Sequence, residues 1–176
     1  MANRSKKVVL SARIDPYLKA GIELAASSSR EKIVAFLEYC IRNGLSSIAV
    51  NNPFVEADVK VPFEMFFSSV WSDDEVLYKL RVGCLGPEYA DRTLVEVGLI
   101  VVAEKHFAGD YDLYGDLNGN AAKLGYKAKR IMIDLEKVRM EWDVINEYAE
   151  FRIKNGRINV SYDKYLEIAY QKPIPF

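Results

Sequence analysis

The chain has 176 residues, half of them hydrophobic and 12% aromatic, so most of it is expected to fold. No run of about 18 apolar residues is present, and we therefore expect no membrane span. The apolar run Val8–Leu10 after the charged N-terminus is too short for a signal-peptide core, which favours a cytoplasmic protein. Cys40 and Cys84 are isolated in the sequence and are expected to be buried, reduced thiols.

The formal net charge of −1 hides an asymmetry. Residues 1–48 contain eight Lys or Arg and four Asp or Glu, which gives +4, and residues 49–176 carry −5. A basic N-terminal module on an acidic body favours a DNA-binding head, although an ordinary mixed surface would give similar counts.

Residues 8–14 alternate in a pattern that predicts a short β-strand. Its two faces are Val8, Leu10, Ala12 and Ile14 on one side and Lys7, Val9, Ser11 and Arg13 on the other. Asp15 and Pro16 then predict the cap and the first residue of a helix. Ser27–Ser29 breaks that helix, and Ser29 is expected to cap a second helix that ends at Asn43–Gly44.

A strand followed by two helices resembles the ribbon-helix-helix family of bacterial, phage and plasmid DNA-binding proteins (the methionine-repressor type), over residues 7–45. The resemblance implies a homodimer, or a higher oligomer, in which two strands form an antiparallel ribbon that enters the DNA major groove. Leu10, Ala12 and Ile14 would face the helices. The implied DNA contacts are Val9, Ser11 and Arg13 on base edges, Arg4, Lys6 and Lys7 on phosphates, and the start of the second helix at Ser28, Ser29 and Arg30 on a phosphate.

The chain is expected to divide at a hinge, Asn51–Pro53, into a DNA-binding module (residues 1–48) and a second, mostly helical domain (residues 54–172). The fold class is therefore α+β, mainly α. In the second domain we predict a strand over residues 55–61. Helices are predicted to start at Asp73 or Asp74, at Gly86–Pro87 and at Asp163.

A 3.5-residue repeat predicts one long helix in the second domain, ending near Asn155–Gly156. The repeat consists of Leu124, Ala128, Ile131, Leu135, Val138, Trp142, Ile145 and Ala149. Trp142 is bulky for a two-stranded seam, and further apolar residues lie outside the stripe. We therefore favour packing of this helix in the domain's own core over a contact between subunits.

No catalytic motif is present, and we expect neither enzyme activity nor a metal or other cofactor. His106 is the only histidine and no nucleophile motif accompanies it, which favours a capping or packing role. Asp116, Asn118 and Asn120 resemble the start of a calcium loop. Ala121 and Lys127 stand where such a loop needs a glycine and a bidentate acid.

The sequence therefore predicts a homodimer that binds double-stranded DNA sequence-specifically, as a transcriptional regulator or a plasmid partition or conjugation accessory protein associated with the nucleoid. The second domain would serve oligomerisation, a protein partner or an effector. One alternative is a structural or interaction protein that does not bind DNA. It would be a single α+β domain, with residues 8–14 as an ordinary edge strand, and would assemble through the long helix.

Overall fold

The computed structural model describes residues 9–55, 58–115, 130–156 and 160–170. These residues form eight α-helices and four short β-strands, so the fold is mainly helical with a small β component, as predicted. Contacts within the chain divide it into two compact units, Met1–Ile48 (unit 1) and Ala49–Phe176 (unit 2). No helix in the described part of the chain is long and apolar enough to cross a membrane.

Unit 1 contains two helices, α1 (Pro16–Ser28) and α2 (Ile33–Ser47), which pack against each other. The predicted start of α1 is confirmed: Asp15 accepts a hydrogen bond of 2.8 Å from the backbone N–H of Tyr17, and Pro16 is the first helical residue. A carboxylate at this position satisfies one of the backbone donors that a helix start leaves free.

The predicted boundaries of α2 are wrong at both ends. Ser29 ends α1 instead of capping α2, because its backbone N–H donates to the carbonyl of Ala25 at 3.0 Å. The N-cap of α2 is Lys32, which makes no capping hydrogen bond through its side chain. Gly44 remains inside α2, because it does not adopt the left-handed conformation with which glycine ends a helix.

Residues 9–15 belong to no helix and pair with no strand in the described chain. The two described sheets are both hairpin-like pairs in unit 2. The edge-strand interpretation of residues 8–14 therefore has no partner strand in the part of the chain that is described.

Unit 2 contains, in chain order, β1 Ala49–Asn51, β2 Lys60–Pro62, α3 Phe63–Ser68, α4 Glu75–Gly83, α5 Arg92–Ala103, a 3₁₀ turn Lys105–Phe107, β3 Tyr111–Asp112, β4 Met132–Ile133, α6 Leu135–Met140, α7 Trp142–Lys154 and α8 Tyr162–Tyr170. β1 pairs antiparallel with β2, and β3 pairs antiparallel with β4. α5 packs against both α4 and α7.

The predicted hinge at Asn51–Pro53 is wrong. Asn51 is the last residue of β1 and lies opposite Lys60 of β2. Asn52 is buried, and its backbone N–H donates to the carbonyl of Val59 at 2.8 Å. These contacts hold the segment within unit 2. Of the predicted strand over residues 55–61, Lys60 and Val61 belong to β2, the described residues 55, 58 and 59 belong to no strand, and residues 56–57 lie outside the described part.

The cap predicted for α4 is confirmed, since the Asp74 carboxylate accepts from the backbone N–H groups of Val76 and Leu77 at 3.0 and 3.3 Å. The predicted helix start at Gly86–Pro87 is wrong. Gly86 has a φ of 98° and lies in a turn, and α5 begins only at Arg92.

The single long helix predicted from the 3.5-residue repeat is wrong. Ile131 precedes β4, Asp134 caps the short helix α6, and the chain breaks again at Glu141 before α7. Leu124 and Ala128 lie outside the described residues. The predicted end is confirmed, because Asn155 is the C-cap of α7.

Core packing of the repeat is confirmed from Leu135 onward. The buried side chains of α6 and α7 belong to the same hydrophobic cluster as Val97 and Ile100 of α5. The members of the repeat among them are Leu135, Val138, Ile145 and Ala149. These four side chains are therefore covered within unit 2.

α8 begins one residue before the predicted cap, Asp163. The hydroxyl of Ser161 accepts from the backbone N–H of Lys164 at 3.3 Å, which is the contact of an N-cap. Tyr162 is the first residue of α8, and residues 157–159 lie outside the described part.

Candidate nucleic-acid interface

Unit 1 buries very little of its apolar surface. Among described residues 9–48 only Ala26 is buried, while Val9 and Leu10 are 94% and 82% exposed. The large apolar side chains exposed in this unit are Val9, Leu10, Ile14, Tyr17, Leu18, Leu24, Ile33, Val34, Tyr39, Ile41, Leu45 and Ile48. A patch of this kind on a small helical pair is typical of a protein interface.

A cavity of about 450 Å³ lies on the apolar surface of unit 1, mostly along α1. Its lining consists of Tyr17, Leu18, Ala20, Gly21, Ile22, Leu24 and Phe36. Leu18 and Leu24 of α1 therefore line an open groove instead of a closed core. This groove is a concave surface suited to apolar side chains of another element.

The residues predicted to read base edges precede α1 directly. Val9, Ser11 and Arg13 are all exposed. The residues predicted to face the helices, Leu10 and Ile14, are exposed as well. Arg4, Lys6 and Lys7 lie outside the described residues.

The predicted phosphate site at Ser28, Ser29 and Arg30 needs a correction. The backbone N–H of Ser29 donates to Ala25 and that of Arg30 donates to Ser27 at 3.1 Å, so neither is available to a phosphate. These residues end α1, and Arg30 has a φ of 56° that turns the chain toward α2. The backbone donors of a helix start belong instead to Ile33 and Val34, the first residues of α2.

His106 lies between two carboxylates in unit 2. Its Nδ1 atom is 3.0 Å from Oδ1 of Asp163, and its Nε2 atom is 2.9 Å from Oε2 of Glu141. Glu141 also accepts a hydrogen bond of 2.9 Å from the hydroxyl of Tyr162. Neutral imidazole donates from one nitrogen only, so both contacts are hydrogen bonds only when His106 is protonated.

The His106 cluster joins three segments: the 3₁₀ turn, the junction of α6 and α7, and the start of α8. Burial, followed by the hydrogen bond to Glu141, raises the pKa of Tyr162 far above its ordinary value. Lys137 donates to the backbone carbonyl of His106 at 3.0 Å. The predicted packing role of His106 is thus joined by a polar role, which sequence analysis missed because Glu141 and Asp163 are remote in the chain.

The two cysteines differ in their surroundings. Cys40 is exposed on α2, contrary to the prediction of a buried thiol, and both cysteines are free. Burial raises the pKa of Cys84 to about 12, so its thiol stays protonated and unreactive near neutral pH. Neither cysteine contacts His106 among the described residues, so this part of the chain contains no Cys–His pair.

No group of three or more His, Cys, Asp or Glu side chains in the described segments is placed to hold a metal ion. The considered calcium loop from Asp116 lies outside them.

The chain matches no known family model, and no curated protein or solved structure is significantly similar to it.

Proposed function

We propose that the chain is a homodimeric protein that binds double-stranded DNA sequence-specifically through an antiparallel ribbon formed by residues 8–14 of two copies. The observation that carries the proposal is the exposed apolar surface of unit 1. Two helices with a single buried residue do not form a core of their own, and a small module of this kind needs oligomerisation to become stable. A second copy supplies both the missing core and the missing strand partner.

The position of residues 9–15 supports this arrangement. They lead into the capped start of α1 at Asp15 and use no strand partner in the described chain. In an antiparallel pair with a second copy, Leu10 and Ile14 pack on the helices, and Val9, Ser11 and Arg13 point away from them. A two-stranded ribbon fits the DNA major groove.

Arg13 is the principal reader in this proposal. A guanidinium donates two hydrogen bonds to O6 and N7 of guanine, Ser11 can bond to any base, and Val9 can contact a thymine methyl. The net charge of +4 on residues 1–48 favours association with the phosphate backbone.

Phosphate contacts come from two parts of unit 1. Arg4, Lys6 and Lys7 are the basic residues before the ribbon. The start of α2 offers the backbone N–H groups of Ile33 and Val34, with the side chains of Ser28, Ser29 and Arg30 on the preceding turn. The positive end of the helix dipole favours an anion there.

Among DNA-binding roles, a transcriptional regulator or a plasmid partition or conjugation accessory protein fits a DNA-binding head joined to a folded second unit. The alternative, assembly through the heptad stripe, loses its support because Val138 and Ile145 are fully buried in unit 2. A charge at Val138 is therefore expected to unfold unit 2 instead of dissociating an oligomer.

The proposal is tested by fluorescence anisotropy of the full chain on DNA from upstream of its own gene and on random duplex of the same length, from about 50 to 200 mM salt. We expect tighter binding to the upstream DNA, with a steep loss of affinity as salt rises. Arg13→Ala is expected to lower the preference for that DNA by five-fold or more, in line with about 1–3 kcal/mol for one base contact.

The matched control is Arg92→Ala, which removes the same charge from the first turn of α5 in unit 2. It should leave both affinity and preference unchanged. Absence of binding to either duplex at about 50 mM salt, where phosphate contacts are strongest, would refute DNA binding. Equal loss of affinity in both variants would refute the ribbon as the reader.

A further inference from the structure

A second cavity, of about 310 Å³, lies entirely within unit 2, at the hairpin of β1 and β2. Its lining consists of Ala49, Val50, Asn51, Lys60, Phe63, Phe66, Glu88 and Tyr89. The volume is at the lower end of the range for small-molecule sites, about 300–1,000 Å³, and suits a metabolite of few atoms.

One wall of the cavity is aromatic and well supported. The rings of Phe66 and Tyr89 lie 4.8 Å apart, and Phe63 stacks on Phe67 with 5.8 Å between ring centroids. The hydroxyl of Tyr89 donates to the backbone carbonyl of Asn51 at 2.7 Å, which fixes the ring against β1. Such a wall binds an apolar or aromatic side chain without rearrangement.

The polar part of the cavity carries one charge of each sign. The carboxylate of Glu88 accepts from Nδ2 of Asn51 at 2.7 Å through one oxygen. Lys60, which also lines the cavity, is the residue of β2 paired with Asn51. Both Glu88 and Lys60 are exposed.

The Oδ1 atom of Asn51 is buried and accepts no hydrogen bond from any group in the described chain. Leaving a buried acceptor unpaired costs free energy. The same amide is held through Nδ2 by Glu88, so the acceptor that this end of the cavity presents to a ligand is the exposed carboxylate of Glu88. The cavity therefore favours a ligand that carries hydrogen-bond donors at its Asn51 and Glu88 end.

We propose that this cavity binds a free L-α-amino acid with an apolar side chain. The ammonium group of the ligand donates to Glu88, its carboxylate pairs with Lys60, and its side chain packs on Phe63, Phe66 and Tyr89. The observed juxtaposition of one acid, one base and an aromatic wall matches the three parts of such a molecule. This assignment does not depend on DNA binding, because all of its residues belong to unit 2.

The proposal is tested by isothermal titration calorimetry of the full chain with L-phenylalanine and with L-leucine. Two probes each lack one charged group: phenethylamine has no carboxylate, and 3-phenylpropionate has no ammonium group. We expect at least one amino acid to bind with a Kd below about 1 mM. Both single-charge probes are expected to bind at least tenfold more weakly.

Two variants separate this site from binding elsewhere. Glu88→Gln and Lys60→Met should each weaken the amino acid tenfold or more, while Glu147→Gln and Lys105→Met, exposed residues of unit 2 away from the cavity, should not. Circular dichroism checks that all four variants fold. The proposal is overturned if neither amino acid binds, if a single-charge probe binds as tightly, or if the cavity variants bind like the wild type.

Discussion

Oε2 of Glu141 lies 2.9 Å from Nε2 of His106, and the same oxygen accepts the hydroxyl of Tyr162 at 2.9 Å. One carboxylate thus serves two donors from different segments, the 3₁₀ turn and α8. Tyr162 is fully buried, so its hydroxyl has few other acceptors within reach. Glu141 is accordingly one polar attachment of α8 to the rest of unit 2, beside the contact of Asp163 with His106.

Glu141→Ala is expected to lower the free energy of unfolding of unit 2 by about 1–3 kcal/mol, because it leaves the buried hydroxyl of Tyr162 unpaired. Both tryptophans, Trp71 and Trp142, belong to unit 2, so urea unfolding followed by their fluorescence reports on this unit. Glu150→Ala is the control: it removes an exposed pair with Lys154, and its effect should stay below about 0.5 kcal/mol. Equal effects of the two substitutions would contradict the proposed role of Glu141.

A second prediction concerns pH. Burial alone would raise the pKa of Asp74, but hydrogen bonds from Arg139 and from the start of α4 outweigh it and hold the pKa below the ordinary value. A carboxyl whose pKa is lowered by folding stabilises the fold above its unfolded pKa, about 3.9. That contribution is lost as the pH falls through the lower, folded value.

Asp74→Asn keeps the cap of α4, since asparagine caps as well as aspartate, but removes the charge that pairs with Arg139. We expect the variant to be less stable than the wild type at pH 7, with the difference shrinking below about pH 4. Asp91→Asn is the matched control, because Asp91 caps α5 through Leu94 at 2.8 Å. Urea unfolding at pH 7 and pH 3 measures the free energy of unfolding of both variants and the wild type. If the difference between Asp74→Asn and the wild type is the same at both pH values, the lowered pKa of Asp74 does not contribute to stability as proposed.

A third prediction concerns the close contact of α4 and α5. A Cβ atom at Gly98 would lie 2.9 Å from backbone atoms of Gly83 and Cys84, which are not free to move aside. Gly98→Ala should therefore destabilise unit 2 by about 1–3 kcal/mol despite the better helix propensity of alanine. At Gly156 the nearest such contact is an ordinary 3.7 Å, and Gly156→Ala should change stability little. Tryptophan fluorescence during urea unfolding measures the stability of both variants. If Gly98→Ala leaves the free energy of unfolding unchanged, the two helices can move apart to admit the methyl group, which would contradict the prediction.

Local chemistry in the sequence was sufficient to predict several helix boundaries. Asp15 and Asp74 each precede a helix and each bond to its first backbone donors, so the residue type and its position determine the start. The end of α7 at Asn155 follows the same logic. Glycine predicted helix boundaries less well: Gly44 stays inside a helix, and Gly86 lies in a turn where a helix start was predicted. The backbone conformation of a glycine depends on the residues around it.

Contacts between distant residues could not be predicted from the sequence. Apolar spacing identified Val138 and Ile145 as one buried stripe, but the break between them lies at Glu141, whose carboxylate contacts His106 and Tyr162. The earlier break, before Leu135, follows the pairing of β3 with β4. The same limit applies to the cavity of unit 2, where Asn51 and Glu88 are 37 residues apart. For unit 1 the pattern of residues 8–14 predicted a strand whose partner would come from another copy, and that pairing stays a prediction.

The last prediction concerns the exposed apolar face of unit 1. Ile41 of α2 is 50% exposed in the single chain, and a second copy that covers its exposed half contributes about 1 kcal/mol, roughly half of the value for burying a fully exposed apolar side chain. The wild type is expected to sediment as a dimer at micromolar concentration, and Ile41→Asp should shift it toward monomer and abolish DNA binding with it. Met140→Asp places the same charge at a 77% exposed apolar residue of unit 2 and should leave the dimer intact. Analytical ultracentrifugation decides between these outcomes. A monomeric wild type would contradict the proposed dimer. A dimer that survives Ile41→Asp but dissociates with Met140→Asp would place the interface on unit 2, and the exposed apolar face of unit 1 would then no longer support the ribbon.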